Sequence, residues 1–256
     1  MSLTPAGWHA RFQEQARWTA ELRRYLYARC PMARAKWILE VGCGTGALLG
    51  ELSAAAPQAR VCGVDLLTDR LKLVRGAAPC AGSALRLPFP SASMDITLCH
   101  FLLLWLDDPA AALKEMGRVT RPGGVVMALA EPDYGGRIDY PESLVKLGRL
   151  QADSLRAQGA NPLMGRMLAA SFARAGFQKV ETGLLGGQWS GPPSVESWQS
   201  EWTVLAEDLG GQVPAAELDE LCAMDRAAWQ HGERILFIPT FYAFAVVDDD
   251  HNGGML

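Results

Sequence analysis

The chain has 256 residues, 49% of them hydrophobic and 20% charged, with a formal net charge of -4 at pH 7. These values predict a globular protein with a sizeable core, and they argue against the strongly basic surface on which nucleic-acid binding depends. The chain has no apolar run near the length of about 20 residues that a membrane-spanning helix needs, and its N-terminus lacks the apolar core of a secretion signal. We therefore expect a cytoplasmic protein with no membrane span and no nucleic acid among its partners.

The first 30 residues predict a cap helix. Apolar side chains at Phe12, Leu22 and Leu26 recur near helical spacing within residues 8–29. Pro31 ends the pattern, because proline cannot continue a helix.

Apolar runs then alternate with helical segments between residues 37 and 130. This alternation predicts a doubly wound α/β fold, in which helices cover both faces of a mostly parallel sheet. Ligands in such folds bind beyond the C-terminal ends of the strands. The predicted strands span residues 37–41, 60–64, 79–82, 96–99 and 125–130, the predicted helices span residues 46–55, 68–76 and 109–120, and a turn is expected at residues 122–124.

The pattern changes after Ala130, where a polar loop at residues 131–137 precedes more helices. Strands predicted at residues 180–185 and 241–247 would complete a sheet of seven strands. The remaining predicted helices lie at residues 141–158, 164–175 and within 192–234. We predict one domain over residues 1–256, with a helical cap formed by residues 1–30, 131–163 and 192–234.

The six cysteines are expected to be free thiols in a reducing compartment, because no pair has CxxC spacing. No set of Cys, His, Asp and Glu residues has the spacing of metal ligands, so we expect no metal.

The most informative motif is the run from Glu40 to Gly46, in which an apolar segment ends in an acid and glycines follow at two-residue spacing. Glycine permits a tight turn and lets a ligand contact bare backbone. A helix starting near Thr45 would also present N–H groups to an anionic ligand. The Gly-x-Gly-x-x-Ala run inside the motif satisfies the dinucleotide fingerprint, and Asp65 follows at about the 20-residue distance expected of a ribose-binding acid, which would indicate NAD.

Four further motifs decide between NAD and a second cofactor. Residues 82–90 read GSALRLPFP, residues 93–98 read SMDITL, residues 113–119 read LKEMGRV and residues 121–124 read RPGG. Together with the acid and glycines of residues 40–46, this order resembles the small-molecule branch of the class I S-adenosylmethionine (SAM) methyltransferases, which includes the quinone-biosynthesis C-methyltransferases. The resemblance covers residues 36–130, the expected SAM-binding core. It implies a Rossmann-like fold with an antiparallel edge, and SAM as the cofactor.

The resemblance also implies roles for single residues. Asp65 would bind the ribose hydroxyls, and Leu66 would pack against the adenine. Ser83 stands where the family usually has Asp, so the adenine contact would rest on the weaker hydroxyl or on the backbone N–H of Ala84. The residues assigned to the cofactor are Glu40, Gly42, Cys43, Gly44, Gly46, Asp65, Leu66, Ser83, Ala84 and Cys99.

His100 is the candidate catalytic residue, because it follows the strand where the family's cofactor methyl group meets the substrate. A histidine there can contact the acceptor or act as a general base, with a pKa suited to proton transfer. Lesser candidates are Asp133, Tyr134 and His231. Tryptophans that pack in the core or exclude water from the acceptor are Trp8, Trp18, Trp189, Trp198, Trp202 and Trp229.

The sequence therefore predicts transfer of a methyl group from SAM to an O, N or C atom of a small-molecule acceptor. Two alternatives stay open at this stage, an NAD-dependent oxidoreductase and a SAM-binding protein without catalysis. A nucleic-acid methyltransferase is disfavoured by the acidic net charge. The acceptor, the methylated atom, the need for a general base and the oligomeric state are left open.

Overall fold

The structure is a computed structural model, and it describes residues 4–186 and 191–248. Its strands are β1 Trp37–Val41, β2 Arg60–Asp65, β3 Ala78–Ala81, β4 Met94–Cys99, β5 Thr120–Pro132, β6 Ile138–Tyr140, β7 Val180–Leu184, β8 Ile235–Phe237 and β9 Thr240–Val246. Seven of them form one sheet in the order β3-β2-β1-β4-β5-β9-β7, in which only β9 runs antiparallel to its neighbours. The prediction of a doubly wound, mostly parallel seven-stranded sheet is confirmed.

The central strands β1 and β4 are mostly apolar, because both faces of the sheet are covered. Side chains of one strand point alternately to opposite faces. On β1, Leu39 and Val41 enter the hydrophobic cluster on one face, and Ile38 enters the cluster on the other. All three are fully buried, so the strand ends are held rigidly in register.

The predicted single helix over residues 8–29 is wrong, because the chain forms two helices that meet at Thr19. Thr19 has φ -108° and ψ 11°, outside the helical region. Its hydroxyl lies 2.8 Å from Nε2 of His100 and accepts a hydrogen bond from Arg23, so tertiary contacts hold the break. The helices are α1 Pro5–Trp18, α2 Ala20–Arg29, α3 Leu49–Ala55, α4 Thr68–Leu71, α5 Pro109–Val119, α6 Val145–Ala157, α7 Met164–Arg174, α8 Val195–Leu209 and α9 Ala215–Gln230.

Three other predicted boundaries are also wrong, and one of them is the end of the helix expected over residues 68–76, which ends at Leu71. The helix expected from residue 45 or 46 begins only at Leu49, because Gly44 and Gly46 have φ values of +54° and +80° that an α-helix does not accept. The turn expected at residues 122–124 is instead a bulge within β5, where Gly123 has φ +73°.

Two of the three segments predicted to form the cap, residues 131–163 and 192–234, share a small hydrophobic core of their own, whereas the helices of residues 1–30 pack into a cluster on the main sheet. Leu144 and Leu147 pack in the small core with α8 and α9. The three-residue strands β6 and β8, which the sequence did not predict, pair antiparallel and join the ends of the two segments. The indole N–H groups of Trp198 and Trp202 both donate to Asp225, so these tryptophans belong to this core.

Among residues 4–186 and 191–248, no helix combines the length and apolar character that crossing a bilayer requires.

Glu131 is a buried carboxylate that holds the chain after β4 against β5. Its Oε1 accepts from the backbone N–H groups of Leu102 and Leu103 at 3.0 and 2.8 Å, and its Oε2 accepts from Leu104 at 3.1 Å. Burial raises the pKa of Glu131 to about 7 against the effect of these bonds. The acid replaces the missing hydrogen-bond partners of a loop that begins directly after His100.

We expect Glu131→Leu to lower the free energy of unfolding by roughly 3 kcal/mol, because it leaves buried N–H groups unpaired. Urea unfolding would measure the change. Glu142→Leu, at an exposed position, is the control and should change the value by no more than about 0.5 kcal/mol. Equal stability of Glu131→Leu and the parent chain would contradict this account.

Candidate functional site

A cavity of about 1510 Å³ lies beyond the C-terminal ends of the parallel strands. The chain turns into it after each of β1 to β5, and α1 and α8 cover it from outside. Parallel α/β sheets place ligand sites in this crevice. The cavity combines backbone-rich loops on the sheet side with aromatic side chains on the helical side.

The glycine loop after β1 is tied to β2 through Asp65. The N–H groups of Gly42 and Cys43 donate to the carbonyl of Val64 at 2.8 and 3.0 Å. Asp65 accepts from Gly44 N–H through Oδ2 and from Leu67 N–H through Oδ1, both at 2.8 Å. The carboxylate thus orients two loops, and its remaining lone pairs stay available on the cavity side.

The helix α1 lies directly over this loop. A Cβ atom added to Gly44 would approach Phe12 Cε2 to 2.7 Å, so only glycine fits beneath the ring. The hydroxyl of Thr45 lies 2.8 Å from Nδ1 of His9. The N-terminal helix and the glycine loop therefore form one unit.

Glu40 lies in β1 just before the glycine loop. Its carboxyl group is buried, and one of the two oxygens, Oε2, has no hydrogen-bond partner in the described part of the chain. The side chain lines the cavity. Burial raises the pKa of Glu40 to about 8, and the nearby guanidinium of Arg23 opposes the shift. An unpaired buried oxygen of this kind is costly unless a ligand donates to it.

The cavity wall formed by the loops after β2 and β3 is apolar. Leu66, Leu67 and Leu85 are 70%, 48% and 48% exposed, and all three line the cavity. Beside them Ser83 accepts a hydrogen bond from Leu85 N–H at 3.2 Å, and Ala84 lines the same wall. These leucines form an open apolar slot of the kind that suits a flat ring.

His100 faces the middle of the cavity, but its pKa differs from the expectation. Burial lowers the pKa of His100 to about 3, and the cationic Arg23 adds to the effect. Arg23 is held by Thr19 at 2.6 Å and by both oxygens of Glu51 at 2.8 and 2.6 Å. His100 is therefore a neutral hydrogen-bonding group at physiological pH, and it is a weak base.

Two residues assigned to the cofactor lie away from the cavity. Cys99 is fully buried. It lies beside Val41 of the neighbouring strand, and both side chains belong to the same core cluster. Gly46 lies behind the loop against Leu49 and Val74. The other predicted positions line the cavity together: Glu40, Gly42, Cys43, Gly44, Asp65, Leu66, Ser83, Ala84 and His100.

Of the lesser candidates, some line the cavity and others do not. Tyr134 lines the cavity, whereas Asp133 accepts from Arg166 at 2.8 Å and from backbone N–H groups. His231 is exposed at the end of α9. Trp8, Trp18 and Trp229 contribute to the lining, and Trp189 lies outside the described residues.

Sequence reasoning missed three charged residues in the cavity, of which Glu21 on α2 is paired with Arg24. Arg70 lies over the rings of Trp8 and Phe12 at 4.5 and 5.3 Å, and Glu201 projects from α8. Neither belongs to a motif, and their neighbours come from distant segments, so no local pattern indicates them. Among the described residues, no group of His, Cys, Asp and Glu side chains is arranged to hold a metal ion, and the six cysteines are free thiols.

Comparisons with known proteins agree with this geometry. The profile of a methyltransferase domain matches residues 39–128. A demethylmenaquinone methyltransferase from Geobacillus stearothermophilus is 31% identical over 193 residues, covering 66% of this chain and 81% of that protein. A trans-aconitate 2-methyltransferase from Azoarcus sp. is 38% identical over 114 residues, covering 43% of this chain and 45% of that protein. The chain thus spans only about half the length of the second relative.

A solved structure of similar fold is phosphoethanolamine N-methyltransferase 2 from Haemonchus contortus in complex with S-adenosyl-L-methionine. It superposes with a TM-score of 0.57 at 15% identity, covering 90% of this chain and 53% of that chain. At this identity the likeness shows the fold alone. With the matched domain and the demethylmenaquinone relative, the chain belongs to the class I methyltransferase family, whose cofactor is S-adenosylmethionine.

Proposed function

We propose that the protein transfers a methyl group from SAM to an O, N or C atom of a small-molecule acceptor bound in the cavity. The observation that carries the proposal is the division of this cavity. One end has the glycine loop with Glu40 and Asp65 beneath α1, and the other is lined by Tyr134, by Glu201 of α8 and by Trp229. The first end suits the cofactor, and the second leaves room for an acceptor.

The residues at the first end fit SAM. The oxygen of Glu40 that has no partner among the described residues matches the amino group of the cofactor's methionine part. Asp65 would accept from the ribose hydroxyls, since charge-assisted bonds of this kind are strong. Leu66 and Leu85 would contact the adenine. When bound, SAM supplies a methyl group that is already activated on a sulfonium centre.

The remaining task of the protein is to align the acceptor and exclude water. His100 uses Nε2 toward Thr19, which leaves Nδ1 for the acceptor. Tyr134 provides a hydroxyl in the same cavity, and burial keeps its pKa above the usual value. Trp18 and Trp229 line the walls. These groups orient a nucleophile without drawing a proton from it.

Methyl transfer can be tested directly with methyl-labelled SAM and a library of small hydroxyl, amine and activated-carbon compounds. Transfer of the label to any member, with formation of S-adenosylhomocysteine, supports the proposal. Binding of S-adenosylhomocysteine without transfer would favour the non-catalytic alternative. Tight binding of NADH without binding of S-adenosylhomocysteine would overturn the proposal in favour of an oxidoreductase.

We expect Asp65→Ala to weaken S-adenosylhomocysteine binding by about 2–3 kcal/mol, the range for hydrogen bonds to a charged group. The variant should also lose some stability, because Gly44 N–H and Leu67 N–H lose their partner. Isothermal titration calorimetry measures the affinity. Asp69→Ala removes an exposed acid in a surface ion pair and should leave it unchanged. An unaltered dissociation constant in Asp65→Ala would show that Asp65 only caps the loop.

Cofactor binding should release protons near neutral pH. With a pKa of about 8, free Glu40 holds a proton at pH 7. An ammonium group beside it lowers that pKa, so binding releases up to about one proton and strengthens as pH rises toward 8. Calorimetry of S-adenosylhomocysteine in buffers of different ionisation enthalpy measures the release. Glu40→Gln should abolish it, and equal release from both proteins would contradict this role.

We expect His100→Ala to lower turnover by at least about tenfold while S-adenosylhomocysteine affinity stays nearly constant, the pattern of a group that acts on the acceptor. Because the pKa of His100 is about 3, the shape of the pH–rate profile between pH 5 and 9 should not change. The exposed His231→Ala is the matched control. Loss of a limb of the profile in His100→Ala would instead assign His100 as a general base.

A further inference from the structure

Glu201 is an acid on α8 whose side chain opens into the cavity under the cap. It lines the large cavity and also a small adjoining one, together with Trp229, Arg137 and Arg234. Its accessible fraction is intermediate. Within residues 4–186 and 191–248, its carboxylate forms neither an ion pair within 4.0 Å nor a hydrogen bond.

The charged groups around Glu201 are already matched with one another. Arg234 donates to Asp225 at 2.6 Å and to Asp139 at 2.8 Å, and Arg137 donates to Asp139 at 2.6 Å. The positive charges of the two arginines therefore balance the negative charges of the two aspartates. Glu201 is the uncompensated acid of this cluster.

The groups that face Glu201 from the other packed elements do not change this balance. On α1, Glu14 is paired with Arg17, and Arg11 is paired with Asp208 of α8 at 3.1 Å. Tyr134 is a neutral phenol on the cavity wall. The local excess of negative charge therefore remains with Glu201.

The described lining of the large cavity offers Glu201 no free cation beside it. Its guanidinium groups belong to Arg11 and Arg70, and Arg11 is paired with Asp208. Arg70 lies at the far end over Trp8 and Phe12. An unpaired acid costs free energy in a poorly hydrated place unless a ligand brings the opposite charge.

We propose that Glu201 is a specificity residue that binds a protonated amine of the acceptor, so that the acceptor is an organic cation. The amine bound by Glu201 is a recognition group and not the methylated atom. Trp229 beside it provides an indole, and aromatic faces attract organic cations. This inference rests on the proposed methyl transfer in one respect, because only that reaction makes the bound amine an acceptor.

The test compares compounds that share a skeleton and differ in charge. Tryptamine is cationic, tryptophol is neutral and indole-3-acetate is anionic; phenethylamine, phenethyl alcohol and phenylacetate form a second set. Calorimetry at pH 8 measures binding of each compound with and without saturating S-adenosylhomocysteine. We expect the amine of at least one set to bind on the order of tenfold more tightly than its neutral and anionic partners.

Glu201→Gln keeps the shape and removes the charge, so it should abolish the preference for the amine. Glu207→Gln, at an exposed position of the same helix, should retain it. Unchanged S-adenosylhomocysteine affinity in Glu201→Gln shows that the fold is intact. If that variant does not fold, the preference of the parent chain and its pH dependence still decide the question.

The pH dependence provides an independent readout. Burial raises the pKa of Glu201 to about 7, Arg137 and Arg234 oppose the shift, and Asp225 and Glu14 add to it. As pH falls from 8 to 6 the carboxylate takes up a proton while the amines stay charged, so the preference should shrink in the parent chain. In Glu201→Gln the ratio of amine to alcohol affinity should be flat.

Absence of a preference for the amine in both sets, or a preference for the anion, overturns the inference. So does an equal preference in Glu201→Gln and the parent chain. Failure of S-adenosylhomocysteine to bind is a separate result, because it refutes the proposed function while the amine preference is measured without it.

Discussion

The carboxylate of Asp65 joins the two loops on which the rest of the site depends. One oxygen accepts from Gly44 in the loop after β1, and the other accepts from Leu67 in the turn after β2. Because β1 and β2 are neighbours in a parallel sheet, a single side chain sets the distance between the two halves of the crevice. Phe12 then closes over Gly44, so the N-terminal helix takes its position from the same loop.

Three acids with raised pKa values show how the fold separates structural from ligand-binding charges. Burial raises the pKa of Glu40, Glu131 and Glu201 alike. Glu131 is satisfied by three backbone N–H groups and serves the fold. Glu40 keeps an unpartnered oxygen, and Glu201 has no counter-ion in the described part of the chain. Perturbed acids of this second kind concentrate where ligands bind.

The sheet was predictable because its parallel strands are mostly apolar runs, and β1 was predicted with its observed ends, Trp37–Val41. Helix ends were less predictable. The start of α3 depends on positive φ values at the glycines, and the break at Thr19 depends on contacts with His100 and Arg23. Neither leaves a local pattern in the sequence.

The candidate site was predictable where motifs mark it and not elsewhere. The glycine loop and Asp65 follow strand ends, so their meeting in the crevice could be inferred. Cys99 was assigned to the cofactor, although it is fully buried and its in-register neighbour Val41 is a core residue. Glu201 could not be found from sequence, because its neighbours lie on α1, on α9 and beside β6 and β8.

The most direct test of the central claim is a crystal structure of the protein with S-adenosylhomocysteine. The account predicts the ligand's amino group within hydrogen-bond distance of Glu40 Oε2, the ribose hydroxyls at Asp65, and the adenine between Leu66 and Leu85. The sulfur should then face the part of the cavity between His100 and Tyr134. Density for the ligand outside this crevice, or with the ribose away from Asp65, would contradict the account.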